Sequence, residues 1–139
     1  MNMPGAPKKS VLIVDDEVAI VEFLSLIIVN EGFNPITATS VPEATKAFMA
    51  CGNTHPVLAV LDIAIHKDNG IALAHELLKK SPGMAILFIS GYVDDLVLLN
   101  YLPPGTKAAF LQKVFTPDQF IAALHSLLAT PKAKTSGAR

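Results

Sequence analysis

The stretch Val11-Leu12-Ile13-Val14-Asp15-Asp16-Glu17 decides how this chain folds. Four aliphatic residues without polar alternation describe a strand covered on both faces. Three carboxylates follow at its carboxyl end. Four more runs have the same apolar character: Pro35–Thr39, Val57–Leu61, Ala85–Ile89 and Ala108–Leu111. Longer segments with helix punctuation lie between them. Glu17–Glu31 stops at Gly32. Ser40–Cys51 opens with Ser40-Val41-Pro42-Glu43, the pattern of a capping box, and stops at Gly52. Gly70–Lys80 carries Ile71, Ala74, Leu77 and Leu78 at helical spacing, and Asp94–Leu102 ends at Pro103-Pro104-Gly105. Thr116–Ala129 starts with a cap residue followed by proline. Strands alternating with helices predict an α/β fold, a doubly wound parallel sheet of five strands with helices on both faces.

The bulk properties agree and narrow the functional classes. The chain has 139 residues, enough for one domain. Hydrophobic residues form 51% and charged residues 17%, which excludes a disordered chain. The net charge of −1 gives no global reason to expect nucleic acid as a partner. A lone cysteine, Cys51, forms no internal disulfide and fits a reducing compartment. Mean hydropathy is high at +0.45. Yet the longest apolar stretch, Val18–Val29, is broken by Glu22 and Ser25 and is shorter than the ~20 residues of a span. Neither a membrane helix nor a signal peptide is read, and a cytoplasmic location is expected. Residues 1–8 and 130–139 read as disordered tails, with Lys132, Lys134 and Arg139 too few for a nucleic-acid arm.

In such a sheet, ligands bind beyond the carboxyl ends of the strands. The polar residues there are Asp15-Asp16 after the first run, Asp62 after the third, Ser90-Gly91 after the fourth and Gln112-Lys113 after the fifth. Taken singly, an aspartate at a strand end is more often a helix cap, and Ser90 or Lys113 an ordinary turn or surface residue. Their joint placement on one edge is what points to a site. Neighbouring strands stand about 4.8 Å apart, so carboxylates on two of them can share a small cation. An oxygen-rich site with few fixed ligands suits Mg²⁺.

These residues carry a resemblance. Val11–Glu17, Val60-Leu61-Asp62 with Asn69-Gly70, Phe88-Ile89-Ser90-Gly91-Tyr92, Pro104-Gly105 and Phe110-Leu111-Gln112-Lys113 with Phe115 resemble the receiver domains of bacterial two-component response regulators. The resemblance covers residues 9–129, and the Ser-Gly-Tyr and Leu-Pro-Pro-Gly pieces look most like receivers attached to hybrid sensor kinases. It implies a flavodoxin-like (βα)5 fold with strand order 2-1-3-4-5. It also implies that Asp62 is the phosphoacceptor and that Mg²⁺ is held by Asp15, Asp16, Asp62 and the backbone carbonyl of Ala64. Lys113 and Ser90 would contact the phosphoryl group, with Phe110 as the switch aromatic; Phe110 as plain core packing is an equal alternative. The implied partners are a sensor histidine kinase or histidine phosphotransfer protein as donor. A downstream effector would bind the face of helix 4, strand 5 and helix 5, where Val97, Leu98 and Tyr101 are candidates if they do not face the core. No nucleic acid or membrane is contacted directly, and a homodimer is left open. The domain would not be a turnover enzyme, catalysing only its own Mg²⁺-dependent phosphorylation and dephosphorylation.

The chain also departs from the family pattern. Val114 stands where a proline usually follows the lysine. A cis bond before a non-proline residue costs roughly 2.5–4 kcal/mol, so Lys113–Val114 reads as either a strained cis bond or, by preference, a trans bond with a displaced lysine. The loop Ile65-His66-Lys67-Asp68-Asn69 is unusual; His66 either tunes the site near neutral pH or, the preferred reading, is an exposed residue without a role. His75 and His125 read as solvated. Ala64 and Tyr92 occupy positions that modulate dephosphorylation in the family, and a small residue with a bulky aromatic suggests a longer-lived phosphoryl group. Two rival readings follow: a degenerate, unphosphorylated receiver acting as a constitutive binding or dimerisation module, and a flavodoxin-like binding protein or enzyme. The second rival needs a phosphate-cradling loop where Asp15-Asp16-Glu17 stand.

Overall fold

The computed structural model describes residues 8–129. The tails expected at 1–8 and 130–139 lie outside these residues except for Lys8. Five strands, β1 (Ser10–Val14), β2 (Asn34–Ala38), β3 (Leu58–Asp62), β4 (Ala85–Ser90) and β5 (Ala108–Gln112), form one parallel sheet in the order β2-β1-β3-β4-β5. The helices are α1 (Val18–Asn30), α2 (Val41–Ala50), α3 (Gly70–Lys80) and α4 (Pro117–Leu128). The expected flavodoxin-like order 2-1-3-4-5 is the order observed.

Side chains alternate across the pleat, so each buried strand feeds two cores. Leu12, Val14, Ala59, Leu61, Ile86 and Phe88 face the layer of α2 and α3. Val11, Ile13, Leu58, Val60, Leu87 and Ile89 face α1 and α4. This double coverage is why the strand sequences show no polar alternation. The helix starts are equally local in origin. Thr116 and Gln119 form a reciprocal capping box with Pro117 in the first turn of α4. At α2 only half of the expected box forms: Ser40 Oγ accepts from the Glu43 N–H, while the Glu43 carboxylate turns back to the N–H and hydroxyl of Thr39.

Two elements differ from the sequence expectation. The fourth helical segment, Val93–Tyr101, is a 3-10 helix that buries none of its residues. Val93, Leu96, Val97 and Tyr101 are exposed, while Leu98 and Leu99 pack half-buried against the α2/α3 core. Leu98 is therefore not a free surface residue. Apolar residues that face outward leave no buried stripe to hold the segment as an α-helix. A short antiparallel ladder, Ala64–Ile65 with Asp68–Asn69, also closes the loop after β3.

That loop depends on Gly70. A Cβ there would overlap the carbonyl oxygen of Asp62 and stand 3.2 Å from Ile63 Cα. The close approach lets the Gly70 N–H reach the Ile63 carbonyl at 2.7 Å, while Asn69 Oδ1 caps α3 through the Ile71 N–H at 2.6 Å. Gly70→Ala should therefore destabilise the fold by about 1–3 kcal/mol, the cost of overpacking. Gly91, whose Cβ would meet nothing within 4 Å, tolerates the same change. Thermal denaturation of the two variants separates these outcomes.

Candidate functional site

The sheet's connectivity reverses at β1, which lies between β2 and β3, and the acidic residues gather at the carboxyl ends there. The register pairs Val14 with Leu61, so the next residues on the two strands, Asp15 and Asp62, are neighbours. Asp15, Asp16 and Asp62 each offer a carboxylate oxygen, and these oxygens lie within 4.8 Å of one another. Asp15 is fully buried and Asp62 nearly so, whereas Asp16 is half-buried.

Each of the two buried aspartates uses one oxygen to shape its own loop. Asp15 Oδ1 accepts the Glu17 N–H at 2.8 Å and Asp62 Oδ1 the Ala64 N–H at 3.1 Å. The other oxygens face Lys113, whose Nζ stands 3.0 Å from Asp15 Oδ2, 2.9 Å from Asp62 Oδ2 and 2.8 Å from Glu17 Oε1. Neither aspartate caps a helix: each shapes its own loop with one oxygen and turns the other toward Lys113. Lys113 is not displaced, contrary to the expectation drawn from Val114. The Lys113–Val114 bond is cis, and the Lys113 N–H donates to the Ser90 carbonyl at 2.7 Å.

One ammonium among four carboxylates leaves the edge strongly acidic. Burial works against the charge on Lys113, but its hydrogen bonds to Glu17 and Asp62 and its ion-pair contact with Asp15 outweigh that and hold its pKa above the usual lysine value. For Asp15, burial dominates and pushes the pKa from 3.8 to about 6, with Asp62 adding repulsion against the relief from the Glu17 N–H and Lys113. Asp15 Oδ2 is in ion-pair contact with Lys113 but accepts no aligned hydrogen bond. A buried carboxylate oxygen without a donor, beside two more carboxylates, fits a hard divalent cation such as Mg²⁺.

The remaining residues fall into place around this cluster. Ser90, 3% exposed, donates from Oγ to Asp95 Oδ2 at 2.6 Å and accepts the Tyr92 N–H at 3.0 Å. Phe110 is half-buried, pairs in register with Phe88 and packs on the α2/α3 core. His66 has contacts after all. With φ 56° its N–H donates to Asp16 Oδ2 at 2.9 Å, and its Nε2 lies 3.0 Å from the Thr39 carbonyl. Nor are the other two histidines merely solvated: His75 Nε2 is 2.9 Å from the Tyr101 carbonyl, and His125 Nε2 is 2.8 Å from Glu31 Oε1. Glu17 and Asp95 were missed as site residues. Glu17 adjoins the acidic pair in sequence and could have been found; nothing local marks Asp95.

The family model of the response regulator receiver domain matches residues 11–125. The chain belongs to the response regulator receiver family. The receiver is 31% identical over 121 residues to "Probable transcriptional regulator ycf27" of Cyanophora paradoxa, covering 87% of this chain and 48% of that protein. It is 26% identical to the "DNA-binding response regulator MtrA" of Mycobacterium tuberculosis, covering 87% of this chain and 51% of that protein. The chain thus spans about half the length of these curated relatives. A receiver domain protein described as CheY-like from Methanospirillum hungatei superposes with a TM-score of 0.75 at 26% identity, covering 94% of this receiver and 99% of that chain. The response regulator TrrA of Thermotoga maritima, solved with Mg²⁺ and a beryllium fluoride, gives 0.73 at 30% identity, covering 86% and 99%. Among the described residues of the receiver, no helix is long and apolar enough to cross a membrane.

The raised Asp15 pKa has a measurable sign. Its folded value lies above the unfolded one, so this contribution to stability is whole below about pH 4 and is lost as pH rises through 6. A gap of about two pH units corresponds to roughly 3 kcal/mol. In metal-free buffer Asp15→Asn should be the more stable form at pH 7, and its advantage should vanish toward pH 4. Paired melting curves across that range, with and without Mg²⁺, check this; added Mg²⁺ should narrow the gap by stabilising only the wild type.

Proposed function

We propose that this receiver accepts a phosphoryl group on Asp62 from a phosphohistidine donor and signals through a conformational change to a partner protein. The observation carrying this reading is the convergence of the Asp62 carboxylate with Lys113 and two further aspartates on one sheet edge. Asp62 acts as the nucleophile: the donor's phosphorus–nitrogen bond breaks with its electron pair leaving on the imidazole, and a bond forms from phosphorus to the Asp62 carboxylate. Lys113, 2.9 Å from Asp62 Oδ2, would neutralise charge on the transferring oxygens. Asp15, Asp16, Asp62 and the Ala64 carbonyl would hold Mg²⁺, which supplies charge neutralisation for the incoming phosphoryl oxygens when bound. Ser90 would donate to the phosphoryl group, with Phe110 following it inward.

The donor in this reading is a sensor histidine kinase or histidine phosphotransfer protein. The output surface is the 3-10 segment with β5 and α4, where Val97 and Tyr101 are exposed. The site holds its phosphoryl group rather than turning over substrates, the location is cytoplasmic, and direct nucleic-acid contact by residues 9–129 forms no part of the role. The Ser90-Gly91-Tyr92 and Leu102-Pro103-Pro104-Gly105 pieces support attachment to, or cooperation with, a hybrid sensor kinase. The degenerate-module alternative loses its main motive, because Lys113 reaches the acidic cluster despite Val114.

Intact mass after incubation with Mg²⁺ and acetyl phosphate tests the reading. One phosphoryl group should be added to the wild type, and none to Asp62→Ala or without Mg²⁺. No modification with either acetyl phosphate or a kinase would leave the binding-module reading in its place. Lys113→Ala should slow the modification roughly a hundredfold, the usual loss for an electrostatic donor. Ala64 and Tyr92 predict slow loss of the group, and Tyr92→Ala should hasten it in an autodephosphorylation time course.

A further inference from the structure

Ser90 has a single hydroxyl proton, and it is already engaged: Oγ donates to Asp95 Oδ2 at 2.6 Å. We propose that Asp95 competes with the phosphoryl group for this proton and thereby couples modification of Asp62 to release of the 3-10 segment. The inference rests on the phosphoacceptor reading above and names how that site would be regulated.

The segment is built to respond. Asp95 lies in the first turn of Val93–Tyr101, a nine-residue 3-10 helix, where such helices rarely exceed three or four residues. None of its residues is buried. Its moorings are few: the Ser90–Asp95 bond and the Asp95 N–H to the Tyr92 carbonyl at one end, and His75 against the Tyr101 carbonyl at the other. Between them only Leu98 and Leu99 pack on the core, on the cluster that Phe110 also joins. A phosphoryl group adds about −1.5 to −2 charges and strong acceptors. It would draw the Ser90 proton away from the Asp95 carboxylate. Losing that bond frees the amino end of the segment, and the exposed Tyr92, Val93, Leu96 and Val97 are then able to repack. Asp95 is thus a positioning residue that holds the unmodified state.

The test uses the receiver with Mg²⁺ and beryllofluoride, a non-covalent phosphoryl mimic. Asp95→Ala should bind the mimic roughly five- to tenfold more tightly, because no competing charged acceptor must be displaced. Asp95→Asn, which keeps an acceptor without its charge, should gain less. In a Ser90→Ala background the gain from Asp95→Ala should vanish, which a generally loosened structure would not produce. The amide resonances of Tyr92–Tyr101 in free Asp95→Ala should move toward those of the mimic-bound wild type. Wild-type binding with unchanged affinity in Asp95→Ala, or a gain that survives Ser90→Ala, overturns the coupling and leaves the phosphoacceptor reading intact. If the wild type neither binds the mimic nor takes phosphate, both fall.

Discussion

The Lys113 ammonium, set among carboxylates from two other loops, is the contact on which the acidic edge depends. Without it, Asp15 and Asp62 would confront each other at neighbouring strand ends, one fully buried, with no cation among the described side chains to offset them. With it, three carboxylates are tied across the sheet from the end of β1 to the end of β5. The compensation is incomplete by design of the geometry. Asp15 Oδ2 faces Lys113 without an aligned hydrogen bond, and its pKa stays raised. An edge that is stable enough to form yet short of positive charge is suited to capture a divalent cation.

The rest of the architecture brings these groups together while leaving the oxygens that face Lys113 out of the loop bonds. Loop-shaping bonds use Oδ1 of Asp15 and Asp62, leaving Oδ2 toward the site. Gly70 admits the chain close to the Asp62 carbonyl, so the loop after β3 folds back tightly. His66 lies at the tip of that loop, linking Asp16 to the end of β2 through Thr39. This rigid half contrasts with the other side of the site. There Ser90 is bonded to a 3-10 segment that contributes no buried residue, the one helical element among the described residues without a buried stripe. Few buried contacts mean a low free energy for local rearrangement, and the segment borders the exposed apolar residues Val93, Leu96, Val97 and Tyr101.

Much of this could be seen in the residues alone. Unalternating aliphatic runs with helix caps between them imply a doubly covered parallel sheet, because nothing else buries both faces of so many short strands. Strand spacing then brings Asp15, Asp62 and Lys113 to one edge. The less legible features all depend on contacts between residues distant in sequence, or on a choice between near-equal local states. The carboxylate of Glu43 chose Thr39 over the Ser40 backbone. The histidines at 66, 75 and 125 found partners 26 to 94 residues away. The stretch Val93–Tyr101 had helix punctuation but not a helical stripe, and it is tertiary burial that stabilises an α-helix of that length.

By itself, then, the sequence determined the alternation of strands and helices, the two-faced core and the identity of the acidic edge, since these follow from local hydrophobic pattern and capping chemistry. Only the tertiary structure decided that Lys113 reaches Asp15 and Asp62 with Val114 behind it, that Asp15 is the buried carboxylate with the raised pKa, and that Ser90 is held by Asp95. Those facts depend on desolvation and on distances of a few tenths of an ångström between separate elements, which no local pattern encodes.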